Sequence, residues 1–163
     1  MAQAHDIVVL VPMSPEQAAA LVTQGHLPGP LPAVTANAAL CETFDTEPGS
    51  EAAEFAAFQV ACVMALAGGA DHFVVSAQAG AAQQPGPAAH DGEVVLDGLP
   101  LRDAGAFFTH ENPGAAEQAS QAAHGLSPDE AWELPLVQSE LAEHPMLWHD
   151  VSELARHIAV EDA

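Results

Sequence analysis

Two short stretches concentrate the side chains able to do chemistry. In FFTHENPG (107–114), His110 and Glu111 stand at the end of an apolar run, just before Asn112-Pro113 opens a helix. Open α/β sheets bind ligands at their strand ends, and the free N–H groups of a following helix welcome an anion. The competing explanation is structural, with Asn112 as a helix cap and His110 as a surface residue. In HPMLWHDVSEL (144–154), His144, His149 and Asp150 crowd into a few positions. Asp150-Val151-Ser152-Glu153 has the form of a capping box, with Asp150 as the cap and Glu153 three residues on. Arg156 and His157 then fall in the last turns, where cations belong. That account leaves only His149 without a structural duty. His110, Glu111 and His149 are therefore the candidate ligand-binding residues.

Most reaction classes find no support. His144, His149 and Asp150 with His110 and Glu111 offer enough donors for zinc. Their spacing does not demand it: His144 and His149 are five apart across Pro145, and a strand would point them to opposite faces. The expectation is no metal and no cofactor. HENPG is not HExxH, and neither a GxSxG elbow, an SxxK pair nor a GxGxxG turn occurs. A chain without lysine has no P-loop and no Schiff-base chemistry. Paired carboxylates stay open, since 23 acids allow some pair to meet, but no pair is marked out. No catalytic residue is assigned. Cys41 and Cys62 are lone thiols on predicted helices and read as buried, reduced cysteines.

The charge balance excludes more. Two basic residues, Arg102 and Arg156, stand against 23 acidic ones, for a net charge of −21. Such a chain cannot neutralise a phosphate backbone, so direct nucleic-acid binding is excluded, and anionic membrane surfaces repel it. Dense acidic stripes that would imitate nucleic acid are not visible. A GC-rich genome's preference for alanine over lysine accounts for much of the imbalance, and a basic protein partner fits the rest. No apolar run reaches the roughly 18 residues of a membrane span. MAQAHDIVVLVP lacks the positive flank and cleavage region of a signal peptide. A cytoplasmic location is expected.

The elements that must position these residues alternate along the chain. At 163 residues, with 49% hydrophobic side chains but only 6 Phe, 2 Trp and no Tyr, a single domain with a small-residue core is expected. DIVVLVP (6–12) and DHFVVSA (71–77) read as strands buried on both faces. Ser14, Pro15 and Gln17 start a helix that Gly25 stops, and HLPGPLP (26–32) reads as a rigid connector. Helices follow at 36–45 and from Ser50 to Leu66, the second with a core stripe of Phe55, Phe58, Cys62, Val63 and Leu66. The segment 78–91 reads as a mobile loop, GEVVLDG (92–98) and AGAFFTHE (104–111) as strands. A helix runs from Asn112-Pro113 to Gly125, another starts at the Ser127–Glu130 capping box and is interrupted at Pro135, and MLW precedes the last helix. Two fully apolar strands separated by helices imply a right-handed crossover. The expected fold is a single α/β domain (1–163) with a mixed, partly parallel sheet of four or five strands covered by helices.

VVLVPMSPEQAAALVTQGHLP, AVTANAAL, EAAEFAAFQVACVMAL, FVVSA, AFFTHEN and PMLWHDVSEL, in that order, resemble a family of small uncharacterised actinobacterial proteins classified as a domain of unknown function. The resemblance implies a small α/β cytosolic protein and brings no catalytic residue with it. Family members carry more arginines and a different pair where this chain has His149-Asp150, which argues against those two as a family-wide site. The expected function is a non-enzymatic interaction or regulatory domain. The alternative is a small-ligand or metal-binding enzyme with its site at the strand ends near His110 and His149. Oligomeric state is left open.

Overall fold

The helix boundaries follow from local chemistry that the sequence displays. In the computed structural model, which describes residues 7–80 and 83–161, strand β1 (Ile7–Met13) leads into helix α1 (Pro15–Gln24). The Ser14 hydroxyl accepts from the Gln17 N–H while the Gln17 side chain accepts from the Ser14 N–H, and Gly25 ends the helix in the left-handed conformation. The same reciprocal cap opens α5 (Pro128–Trp132) at Ser127 and Glu130. Asp150 and Glu153 cap the 3-10 turn that precedes α7 (Leu154–Glu161). Asn112 caps α4 (Pro113–Ala123), and Ser50 caps α3 (Glu51–Gly68), an 18-residue helix carrying Glu51 and Glu54 in its first turn, where the helix dipole favours them. Pro135 separates α5 from α6 (Pro135–Glu143).

The sheet corrects the expected topology. Among the described residues it has seven strands in the order β4-β5-β2-β1-β3-β6-β7, and every pairing is antiparallel. Here β2 is His26–Val34, β3 Phe73–Ala79, β4 Gln83–Pro85, β5 Glu93–Pro100, β6 Ala104–Thr109 and β7 Leu147–Asp150. The two apolar strands β1 and β3 are neighbours, running from Ile7↔Ala79 to Met13↔Phe73 in opposite directions. Continuous apolar runs report burial on both faces, and helices on both faces produce that burial whichever way the strands run. Such runs encode layering, not strand direction.

The proline-punctuated stretch 26–32, expected as a connector, is part of β2. Proline lacks the ladder N–H and is tolerated where one side of a strand is unpaired. β2 pairs with β5 along its length but meets β1 only at Leu10↔Val34. An irregularity between Pro28 and Leu31 holds the cis peptide Gly29–Pro30. The segment 78–91 also contains more structure than expected: β3 runs to Ala79, β4 pairs with β5, and Ala89–Asp91 forms a 3-10 turn. Positions 81 and 82 of that loop, and Asp6 of the first expected strand, lie outside the described residues.

Helices close both faces. On one, α1 and α7 cover Val9, Val11, Phe73, Val75 and Phe107 through Leu21, Leu154 and Ile158. On the other, α3 and α2 (Ala38–Phe44) cover Leu10, Val34 and Val74. A further layer of α4, α5 and α6 packs on the outer side of α3 against Val63 and Leu66. α3 is apolar and long enough to cross a membrane by length and composition, yet here it is a core helix held between the sheet and three other helices. Its expected stripe is only partly right. Cys62, Val63 and Leu66 are buried and Phe58 is half-buried, but Phe55 is 60% exposed. Five of its nine buried residues are alanines, whose small side chains let the helix approach closely.

The β2–β5 contact is tight at one point. A Cβ added to Gly29 would land against the backbone carbonyls of Leu96 and Asp97, where nothing can rotate away. Gly29→Ala should therefore destabilise the protein by about 1–3 kcal/mol, seen as a lower midpoint in urea unfolding. A variant as stable as the parent would contradict this packing.

Candidate functional site

The sheet ends in a place where three elements leave a cavity. Phe108 on β6 points to the α3 side and meets Phe58 edge-on, ring centres 4.8 Å apart. One residue past the end of the strand, His110 lines the same space, with Cys62 and Leu66 of α3 behind it and Glu140 and Leu141 of α6 opposite. Pro145 and Met146 complete the wall. The cavity measures about 300 Å³, the low end for sites that hold small molecules. Its lining is largely aromatic and aliphatic, interrupted by a few convergent polar atoms.

Those polar atoms are poorly satisfied. The side chain of Glu140 is only 4% exposed, and neither carboxylate oxygen has a hydrogen-bond partner. The side chain of His110 is 8% exposed, its Nε2 is unpartnered, and its Nδ1 lies 3.9 Å from Glu140 Oε1, too far for a hydrogen bond. Burial pushes the Glu140 carboxyl above its usual range; His144 pulls it back and Glu111 adds to the rise. Burial lowers the His110 imidazole, opposed by a backbone hydrogen bond with His72. Cys62 donates its thiol to Met146 Sδ at 3.2 Å, and burial, reinforced by the Glu140 charge, holds that thiol protonated. A thiol so held is not a nucleophile. The cavity walls thus offer hydrogen-bond acceptors without donors, in apolar surroundings.

The residues singled out from sequence divide between two places. His110 is a wall of the cavity, and Glu111 stands at its rim, 3.4 Å from Nδ1 of His144, which also lines the cavity. His149 lies on the other face of the sheet. It pairs across the ladder with Phe107, stacks on that ring with centres 4.8 Å apart, and its Nε2 is 2.9 Å from Thr109 Oγ1. His157 of α7 lies beside both rings. The duty that sequence reading could not find for His149 is to roof Phe107 beneath the last helix. Glu140 and Cys62 escaped notice as site residues. A signal for Glu140 existed: in PLVQSELAE the buried face of α6 runs through Val137 and Leu141, and an acid at position 140 falls on that apolar face.

A family model described as a family of unknown function (DUF6912) matches residues 7–158, and the chain belongs to that family. No curated protein and no solved structure matches it.

The unpartnered carboxylate has a measurable cost. A buried acceptor without a donor costs about 1–3 kcal/mol. Because the folded state raises the Glu140 pKa above its ordinary value of 4.5, the native protein holds its proton more tightly than the unfolded chain. Stability from this group is therefore greatest below about pH 4.5 and declines as pH rises through the raised value. Glu140→Met, close in shape and without charge, should raise the Tm at pH 7 by roughly 2–6 °C. The gain should shrink at pH 4. A scan showing no gain at pH 7, or the same gain at both pH values, would refute the assignment.

Proposed function

We propose that this member of a family of unknown function is a ligand-binding regulatory domain rather than a catalyst. Its cavity between β6, α3 and α6 takes a small, mainly apolar molecule that carries one cationic or hydrogen-bond-donating head. The observation that carries this reading is Glu140, whose buried carboxylate has no donor of its own. A ligand ammonium would supply the missing donors and offset the cost of burying the charge. His110 Nε2 provides a second polar contact, and Phe58, Leu66, Phe108 and Leu141 receive the apolar body. The net charge of −21 attracts cations to the whole surface. A protonated Cys62 thiol argues against nucleophilic catalysis at this place. Two buried free cysteines favour a reducing compartment, so we assign the protein to the cytoplasm.

Thermal shift with matched probes tests the reading. Phenylethylamine should raise the Tm saturably at pH 7, whereas phenylpropionate, similar in bulk and opposite in charge, should not. Glu140→Gln should abolish the difference between the two. Equal shifts from both probes, or none from either, would overturn the proposal.

A basic protein partner is the second reading, favoured by Leu147 and by Trp148, which is 62% exposed on the edge strand β7. The exposed indole would anchor a partner that the acidic surface attracts. On this reading, Trp148→Ala would weaken capture of that partner, and added salt would slow its association.

A further inference from the structure

A second cluster of ligating atoms lies away from the cavity, where the 3-10 turn before β5 meets the start of α5. His90 Nε2 is 2.6 Å from Asp129 Oδ2 and 3.3 Å from Asp91 Oδ2. The three atoms all lie within 4.8 Å of one another, the one such group of three among the described residues. Proximity of acids is common on a surface this acidic and would by itself mean little. What distinguishes this group is Asp91. Its side chain is only 7% exposed, its Oδ2 is buried beside the imidazole outside hydrogen-bonding geometry, and its carboxyl also meets that of Asp129 closely enough for the two acids to share a proton. Two carboxyl groups held this close beside a buried oxygen repel one another unless a proton or a cation lies between them.

We propose that His90, Asp91 and Asp129 form a site for a divalent transition cation, of the zinc or manganese type, that ties the turn before β5 to α5. One imidazole nitrogen and two carboxylate oxygens suit such an ion, and two negative charges balance its two positive ones. Ligands around a cation at about 2.0–2.2 Å sit roughly 3.0–3.5 Å apart, so the His90–Asp129 contact must open by a fraction of an ångström. Both side chains are more than half exposed and have room to do so. The backbone is already set: the Thr43 hydroxyl donates to the His90 carbonyl, and the Ala88 N–H donates to Glu93 Oε1 at 3.3 Å. Beside the cluster, a cleft of about 250 Å³ lined by Asp91, Asp129, Phe44, Trp132 and Glu133 leaves space for water to complete the coordination. Asp129 lies 39 residues from His90, so the ion would join distant parts of the chain, and binding to the folded state alone stabilises it.

Full-length protein stripped with EDTA should be titrated with Zn²⁺ and Mn²⁺ by calorimetry in 0.15 M salt. One saturable equivalent is expected, with a rise in Tm. His90→Ala and Asp129→Ala, both at exposed positions, should each weaken that equivalent by about 100-fold, while His124→Ala leaves it unchanged. In a Trp148→Phe background, Trp132 is the remaining tryptophan, and its fluorescence should change with the same stoichiometry. No saturable equivalent, or one that survives both substitutions, would overturn the site. Equally tight Ca²⁺ or Mg²⁺ binding would also do so, because those ions seek oxygen and gain nothing from the imidazole.

Discussion

Everything in this fold depends on α3 being able to lie close to its neighbours on several sides at once. The helix is covered by the sheet, by α2 and by the outer layer of α4, α5 and α6. Ala53, Ala57, Ala61 and Ala65 are buried along it, and Ala116, Ala119 and Ala123 of α4 face it. Alanine gives little apolar area per residue, but it lets backbones approach and costs no side-chain entropy. Close approach then makes backbone chemistry available between helices. The buried Ser120 hydroxyl of α4 donates to the Leu66 carbonyl at 2.7 Å, meeting an acceptor near the end of α3 that the helix itself leaves free. An alanine-rich composition is thus the material of a three-deep stack and not merely a reflection of codon usage.

The cavity forms where that close packing is interrupted. Along α3 the small residues give way to Phe58 and Cys62 on the side facing β6 and α6, and Phe108 holds the gap open from the sheet. α6 then presents Glu140 and Leu141 to the space instead of sealing it. A carboxylate at that position works against stability, as an apolar side chain there would not. Natural sequences keep such groups chiefly where a function needs them. The placement is therefore more informative than the volume: pockets of 300 Å³ are ordinary, whereas a buried acid without a donor is not.

What could be read from the sequence was local. Ser14 with Gln17, Ser127 with Glu130, Asp150 with Glu153 and the Asn112 cap each involve residues two or three apart, and each is present. Strand direction was not local. β1 and β3 are apolar on both faces because helices lie on both sides, and nothing within either segment records which way its neighbour runs. β2 was concealed by its prolines, which are tolerated because β1 touches that strand only at its end. His110 was visible as a strand-end polar residue. Its partners Cys62 and Glu140 come from helices 48 positions before and 30 after it, and only the tertiary arrangement joins them. The same holds for Asp91 and Asp129, which no spacing rule connects.

The two faces of the sheet also explain why His110 and His149, close in register, end with different roles. β6 and β7 alternate, so Phe107 and its partner His149 project toward α7, whereas Phe108 projects toward α3. Toward α7 the aromatic rings of Phe73, Phe107, His149 and His157 pack ring against ring. Thr109 meets the Nε2 of His149, so that polar atom is satisfied, and the cleft beside Phe73, Thr109 and His157, about 180 Å³, is smaller than the cavity on the other face. Toward α3 the rings of Phe58 and Phe108 meet edge-on, and beyond them His110 Nε2 and both oxygens of Glu140 are left without hydrogen-bond partners. A filled interface with satisfied polar groups stabilises the fold. An open one with unsatisfied groups works against it, and the larger cavity with the unpartnered acid lies on the α3 side.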